Sequence, residues 1–145
     1  MWIDISRVRQ NYPALLVSAT LSLLFETVWY SFFLNAWLKG IGRNQQWLET
    51  SGVSLWLQCG TAFLSAGLIA AAISGFTQLT GRQTAARGMK VGFVLWLGCV
   101  LPTFATEYVF ELRSYAIFAI NAGFWLVSMM LMGAIVGAWK KKDRR

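Results

Sequence analysis

Between Arg9 and Lys39 the only charged side chain is Glu26, and hydroxyl groups recur every four residues around it, at Ser18, Ser22 and Tyr30. On a helix that spacing gathers all four on one face. A carboxyl inside an otherwise apolar run could carry a proton or hold a cation. Inserted as a charge at mid-bilayer it costs on the order of 2.5–3.5 kcal/mol, and its alternative is to stay protonated. The bland reading is a neutral glutamate bonded to a neighbouring hydroxyl or backbone carbonyl. At about 1.5 Å per residue, Glu26 lies roughly 18 Å inside Leu38. The same depth along the other apolar runs meets Ser65, the stretch from Cys99 to Thr103, and Ser128, with no Lys or Arg among them. Glu26, Ser22, Tyr30, Ser65, Thr103 and Ser128 therefore form the candidate intramembrane polar site.

Other chemistry finds little support. The chain has no histidine, the commonest general base and metal ligand. Cys59 and Cys99 both fall inside apolar runs and lack C-x-x-C spacing, so they read as free thiols rather than a disulfide or metal site. Gly40-Ile41-Gly42 has neither a preceding strand nor a third glycine, which argues against a phosphate cradle. The expectation is no enzyme, no cofactor and no metal. Pro102 interrupts the third apolar run and bends it, with Thr103 and Thr106 placed to satisfy loosened backbone. Glu107 and Glu111 follow it as solvated carboxylates or, alternatively, a cation-attracting mouth.

These residues need spanning helices to position them. Of 145 residues, 57% are apolar and 13% charged, where a soluble domain has about 25% charged. Charges are absent from 50–81, 91–106 and 114–139, and a span needs about 20 apolar residues. The reading is an all-α membrane protein, one domain of four transmembrane helices near 14–38, 53–79, 89–110 and 115–139, arranged as an up-down bundle. With four spans, Arg7, Arg9, Arg82, Arg87, Lys90, Lys140, Lys141, Lys142, Arg144 and Arg145 share one side, against Lys39, Arg43 and Arg113 on the other. Ten against three places both termini in the cytoplasm. The tail Lys140 to Arg145 then attracts anionic lipid rather than nucleic acid, for which no recognition fold is present. Trp29, Trp37, Trp47, Trp56, Tyr108 and Tyr115 belong to the outer interface, and Trp2, Tyr12 and Trp139 to the inner one. Trp96 and Trp125 lie deeper, as packing.

Small residues mark how the helices meet. Ala62, Ala66, Ala70 and Ser74 repeat every four positions in the second span, and Gly133 and Gly137 do so in the fourth. Such flat faces let backbones approach closely, either within the bundle or in a homo-oligomer or larger membrane complex. Val28-Trp29-Tyr30-Ser31 with Ala36-Trp37, Ile120-Asn121-Ala122-Gly123 and Leu131-Met132-Gly133-Ala134-Ile135 resemble the bacterial membrane family catalogued as domain of unknown function 1761. The resemblance runs from about Asn11 to Trp139 and implies a four-span inner-membrane protein. It carries over no functional residue. Two functions stay open. The first is a structural or accessory subunit acting through helix–helix association, and the second is an oligomeric proton-coupled transporter or channel built on Glu26.

Overall fold

The computed structural model describes residues 8–140, and these are helical with no strand. Seven helices follow in order: α1 (Tyr12–Phe32), α2 (Leu34–Gly40), α3 (Gln45–Thr50), α4 (Leu55–Leu79), α5 (Ala85–Leu95), α6 (Leu101–Phe110) and α7 (Tyr115–Ala138). A π-helical turn, Trp96–Val100, joins α5 to α6. Four segments are long and apolar enough to cross a membrane: Tyr12–Phe32, Leu55–Leu79, Ala85–Phe110 and Tyr115–Ala138. Within them, apart from the turn around Pro102, backbone groups away from the ends can bond inside their own helix, which is what hydrocarbon surroundings demand. Trp2, Arg7 and the tail beyond Lys140 lie outside the described residues.

The first apolar run is not one helix. It breaks at Phe33, whose φ of −95° and ψ of 10° leave the helical region, and resumes as the seven-residue α2. Neither proline nor glycine marks the break. The short α3 was not expected either, although it has its signal: Asn44 accepts a 3.0 Å bond from the Trp47 amide as an N-cap. The third span starts at Ala85, earlier than Met89, because the Thr84 hydroxyl accepts from the Arg87 amide at 3.2 Å and caps it there. Arg87 and Lys90 thereby join its first turns, where long basic side chains extend toward the interface.

The π turn accounts for the proline. Pro102 has no N–H to give and its ring crowds the carbonyl four residues back. Just ahead of it the helix widens, and the Leu101 amide bonds to the Trp96 carbonyl five residues back. Thr103 Oγ1 donates to the Cys99 carbonyl at 2.6 Å, and Thr106 Oγ1 to the Pro102 carbonyl at 2.9 Å. Both hydroxyls thereby bond carbonyls of their own span beside the proline.

α7 is the most enclosed span and packs against α1, α4 and α5. Ala19, Ala66, Ala70, Ile73, Met129, Met132 and Val136 make the core where α1, α4 and α7 meet. Between α5 and α7 the contact is backbone on backbone. A Cβ built on Gly88 would overlap the Gly133 carbonyl, one on Gly92 the Met129 carbonyl, and one on Gly137 the Thr84 carbonyl. Leu16, Leu24, Val28, Leu64, Leu68 and Val94 point outward, the arrangement expected where lipid is the solvent.

Chain ends and loops meet at two poles. At one, Asn11 Nδ2 donates to the Trp139 carbonyl at 2.9 Å, the Arg9 amide to Gln78 Oε1 at 3.0 Å, and Gln83 Nε2 to the Val136 carbonyl at 2.6 Å. At the other, Gly40 packs against Ile117, and Arg113 pairs with Glu111 and, at 3.8 Å, with Glu107.

Candidate functional site

Glu26 is half-buried on α1, on the wall of a cleft of about 480 Å³ between α1, α2, α3, α4 and α7. Its neighbours there include Leu23, Thr27 and Tyr30 from α1, Trp37 from α2, Gln58 and Cys59 from α4, and Asn121 from α7. No hydrogen bond or ion pair to the Glu26 carboxyl is formed among the described residues. Ala19 of α1 shares the buried core with Ala66 and Ala70 of α4. Leu34 and Trp37 of α2 and Leu48 of α3 complete the wall of the cleft. With α1 ending at Phe32, Glu26 lies six residues from that end, about 9 Å along the axis, half the depth counted from Leu38.

The remaining expected site residues divide. Ser22 Oγ and Ser128 Oγ are buried and 2.6 Å apart, so they satisfy each other one turn away from Glu26. Ser18 lies on the same stripe, fully buried, its hydroxyl without a hydrogen-bond partner among the described residues. Beside these three serines is a void of about 20 Å³. Tyr30 reaches the cleft, where its hydroxyl donates to Asn121 Oδ1 at 2.8 Å. Thr103 does not join the site: it is exposed and bonded to its own helix. Ser65 is half-buried and does not line the cleft. Gln58, Cys59 and Ala62 occupy its place opposite Glu26, because the helix break at Phe33 shifts the depth of α1 relative to α4.

Sequence reasoning missed several participants. Asn121, the one amide side chain in the fourth span, couples two spans: it accepts from Tyr30 and its Nδ2 donates to the buried Tyr108 hydroxyl. Its isolation among apolar residues was the available signal. Trp29 Nε1 donates to the Ile120 carbonyl at 3.1 Å and Trp96 Nε1 to the Ala122 carbonyl at 2.9 Å, so Trp96 is a bonded group as well as packing. Gly88 and Gly92 repeat the four-residue spacing of Gly133 and Gly137 and are the partners of that face.

Of the helix-packing residues, Ala66, Ala70, Gly133 and Gly137 are buried within the chain and Ala62 is half-buried on the cleft. Cys59 and Cys99 are free thiols. Glu107 and Glu111 both pair with Arg113, one cation for two carboxylates. Among the described residues no three His, Cys, Asp or Glu side chains come together as a metal-binding group.

No curated protein and no solved structure matches the chain. A family model does match it, over residues 13–137 of 145. The match takes in all four spanning helices but for the terminal residues Tyr12 and Ala138, and the whole cleft, and the chain belongs to the family described as Protein of unknown function (DUF1761).

Proposed function

We propose that the chain is a small multi-pass membrane protein whose site of action is the Glu26 cleft, working as an oligomeric proton-coupled transporter or channel. One observation carries this reading: the Glu26 carboxyl lines an open cleft with neither hydrogen bond nor counter-charge among the described residues. A glutamate kept only for structure would be tied to a nearby hydroxyl, since an unsatisfied polar group in hydrocarbon is costly. The hydroxyls nearest in sequence are engaged elsewhere, Ser22 with Ser128, Tyr30 with Asn121, and Thr27 with the Leu23 carbonyl. The test is to reconstitute the protein and Glu26→Gln in vesicles loaded with a pH-sensitive dye. Proton movement should be abolished by the amide, which cannot titrate; equal proton flux in both forms refutes the reading.

The same reading takes the spans as an up-down bundle in a bacterial inner membrane, both termini cytoplasmic, with the tail drawn to anionic lipid and no catalytic reaction. The ten-to-three distribution of basic residues supports it. So do the contacts that join Asn11 to Trp139 and Arg9 to Gln78 at one pole.

A structural or accessory subunit is the second reading. Gly60 and Gly67, two turns apart on α4, have open space where a Cβ would sit, and small residues at that spacing suit a helix from another chain. Cross-linking in native membranes that captures an assembly, weakened by Gly60→Leu and Gly67→Leu, would favour it over the transporter.

A further inference from the structure

The geometry points to the Glu26 cleft as a binding site for a monovalent organic cation bearing aromatic or alkyl groups. The inference rests on the cleft being a ligand site. Its size, about 480 Å³, falls in the range of roughly 300–1,000 Å³ typical of small-molecule pockets. Its chemistry narrows the class. Among the described residues Glu26 is the only charged side chain on the wall, with no Lys or Arg, so an anion would meet a carboxylate and no counter-charge. A compact metal ion demands six or more oxygens, or a rigid octahedral shell. Here Thr27 Oγ1 is already donating within its helix and Asn121 Oδ1 is already accepting.

An organic cation needs no such shell. Its diffuse charge is weakly hydrated, and one carboxylate with aromatic faces can replace the water it loses. Both parts are present. Tyr30 and Trp37 meet edge to face, with ring centroids 6.1 Å apart, and border the same cleft as Glu26. The Tyr30 hydroxyl is turned to Asn121, which holds its ring in place. Leu23, Leu34 and Leu55 supply apolar wall for the substituents, and the Gln58 amide offers one polar group for orientation.

The experiment is equilibrium binding of radiolabelled tetraphenylphosphonium to the full chain in lipid nanodiscs, with empty discs subtracted. Tetraphenylborate, nearly the same in shape and opposite in charge, is the competitor. Saturable binding is expected, weakened at least tenfold by Glu26→Gln, less by Glu26→Asp, and severalfold by Trp37→Leu, with tetraphenylborate not competing. Size-exclusion profiles and circular dichroism establish that each variant is folded. No saturable binding, or binding unchanged by Glu26→Gln, overturns the inference, as does a phospholipid that co-purifies in the cleft and is not displaced by the cation. If tetraphenylborate competes as well as the cation, the ligand class is wrong while the cleft remains a ligand site. The dye assay with no added cation reads the titration of Glu26 separately, so the two conclusions can fail independently.

Discussion

Replacing glycine by alanine, one position at a time, should sort the glycines of the spanning helices into two groups of opposite sign. A Cβ on Gly133 would lie 2.6 Å from the Gly88 carbonyl carbon and 3.0 Å from the Met89 nitrogen. Ordinary contact begins near 3.4 Å, so the nearer of these is about 0.8 Å too close. The obstacle is backbone, which no rotamer change can remove. α5 and α7 must therefore separate, and a gap of 0.5–1 Å forfeits roughly a quarter to a half of each dispersion contact along the seam. Overpacking of this kind costs about 1–3 kcal/mol. Alanine returns about 0.5–1 kcal/mol by its helix preference. Gly88→Ala and Gly133→Ala should each lose about 1–2 kcal/mol net, with the double variant losing less than the sum because one separation accommodates both methyls. Gly60→Ala and Gly67→Ala, where the added carbon meets nothing, should be neutral or gain up to about 1 kcal/mol. Thermal unfolding of the purified protein in one detergent reads all five variants. If Gly88→Ala and Gly60→Ala shift the midpoint alike, the close backbone contact between α5 and α7 is refuted.

Ser22→Ala should cost about 0.6 kcal/mol, and a double-mutant cycle with Ser128→Ala should show coupling of that size; additive losses would mean that the two hydroxyls do not bond. Ser18→Ala should be neutral or stabilising, because it removes a buried hydroxyl that has no partner among the described residues, and a clear loss in the same unfolding assay would contradict this. Asn121→Leu should release Tyr30 and Tyr108 together, exposing both phenols to chemical iodination, whereas protection as in the parent would deny Asn121 its bridging role. A reporter fused after Arg145 should read cytoplasmic and a cysteine at Asn44 should label from outside; an equal division between orientations would defeat the fixed topology.

What could be read without coordinates followed from solvation. Long charge-free stretches place four spans, because a bilayer tolerates few charges, and α4 and α7 lie within two residues of the stretches expected for them. The break at Phe33 was illegible since neither proline nor glycine marks it, so it has no local residue signature. That one break misplaced the partners of Glu26. Depth counting assumes straight, parallel helices, so it set Thr103 and Ser65 beside the carboxyl and overlooked Gln58. The small-residue pattern was legible as a packing face, but not its partner, since Gly88 begins its four-residue repeat in a part of the third span that had been assigned to a loop.

Ile120, Asn121 and Ala122 each bond a different group: Trp29 from α1, Tyr30 and Tyr108 from two spans, and Trp96 from the π turn. In lipid, sliding one helix lengthwise past another exchanges apolar surface for equally apolar surface, so packing alone sets a weak axial register. Three consecutive residues of α7 act as a set of stops against that slide. A piston stroke of one turn, about 5.4 Å, would release both indole bonds at once, whereas a tilt pivoting on residues 120–122 would keep them. Any working motion of this protein is thereby steered toward rocking about a fixed point in α7, which would widen or narrow the gap between α1 and α4 while their ends at Arg9 and Gln78 stay tied.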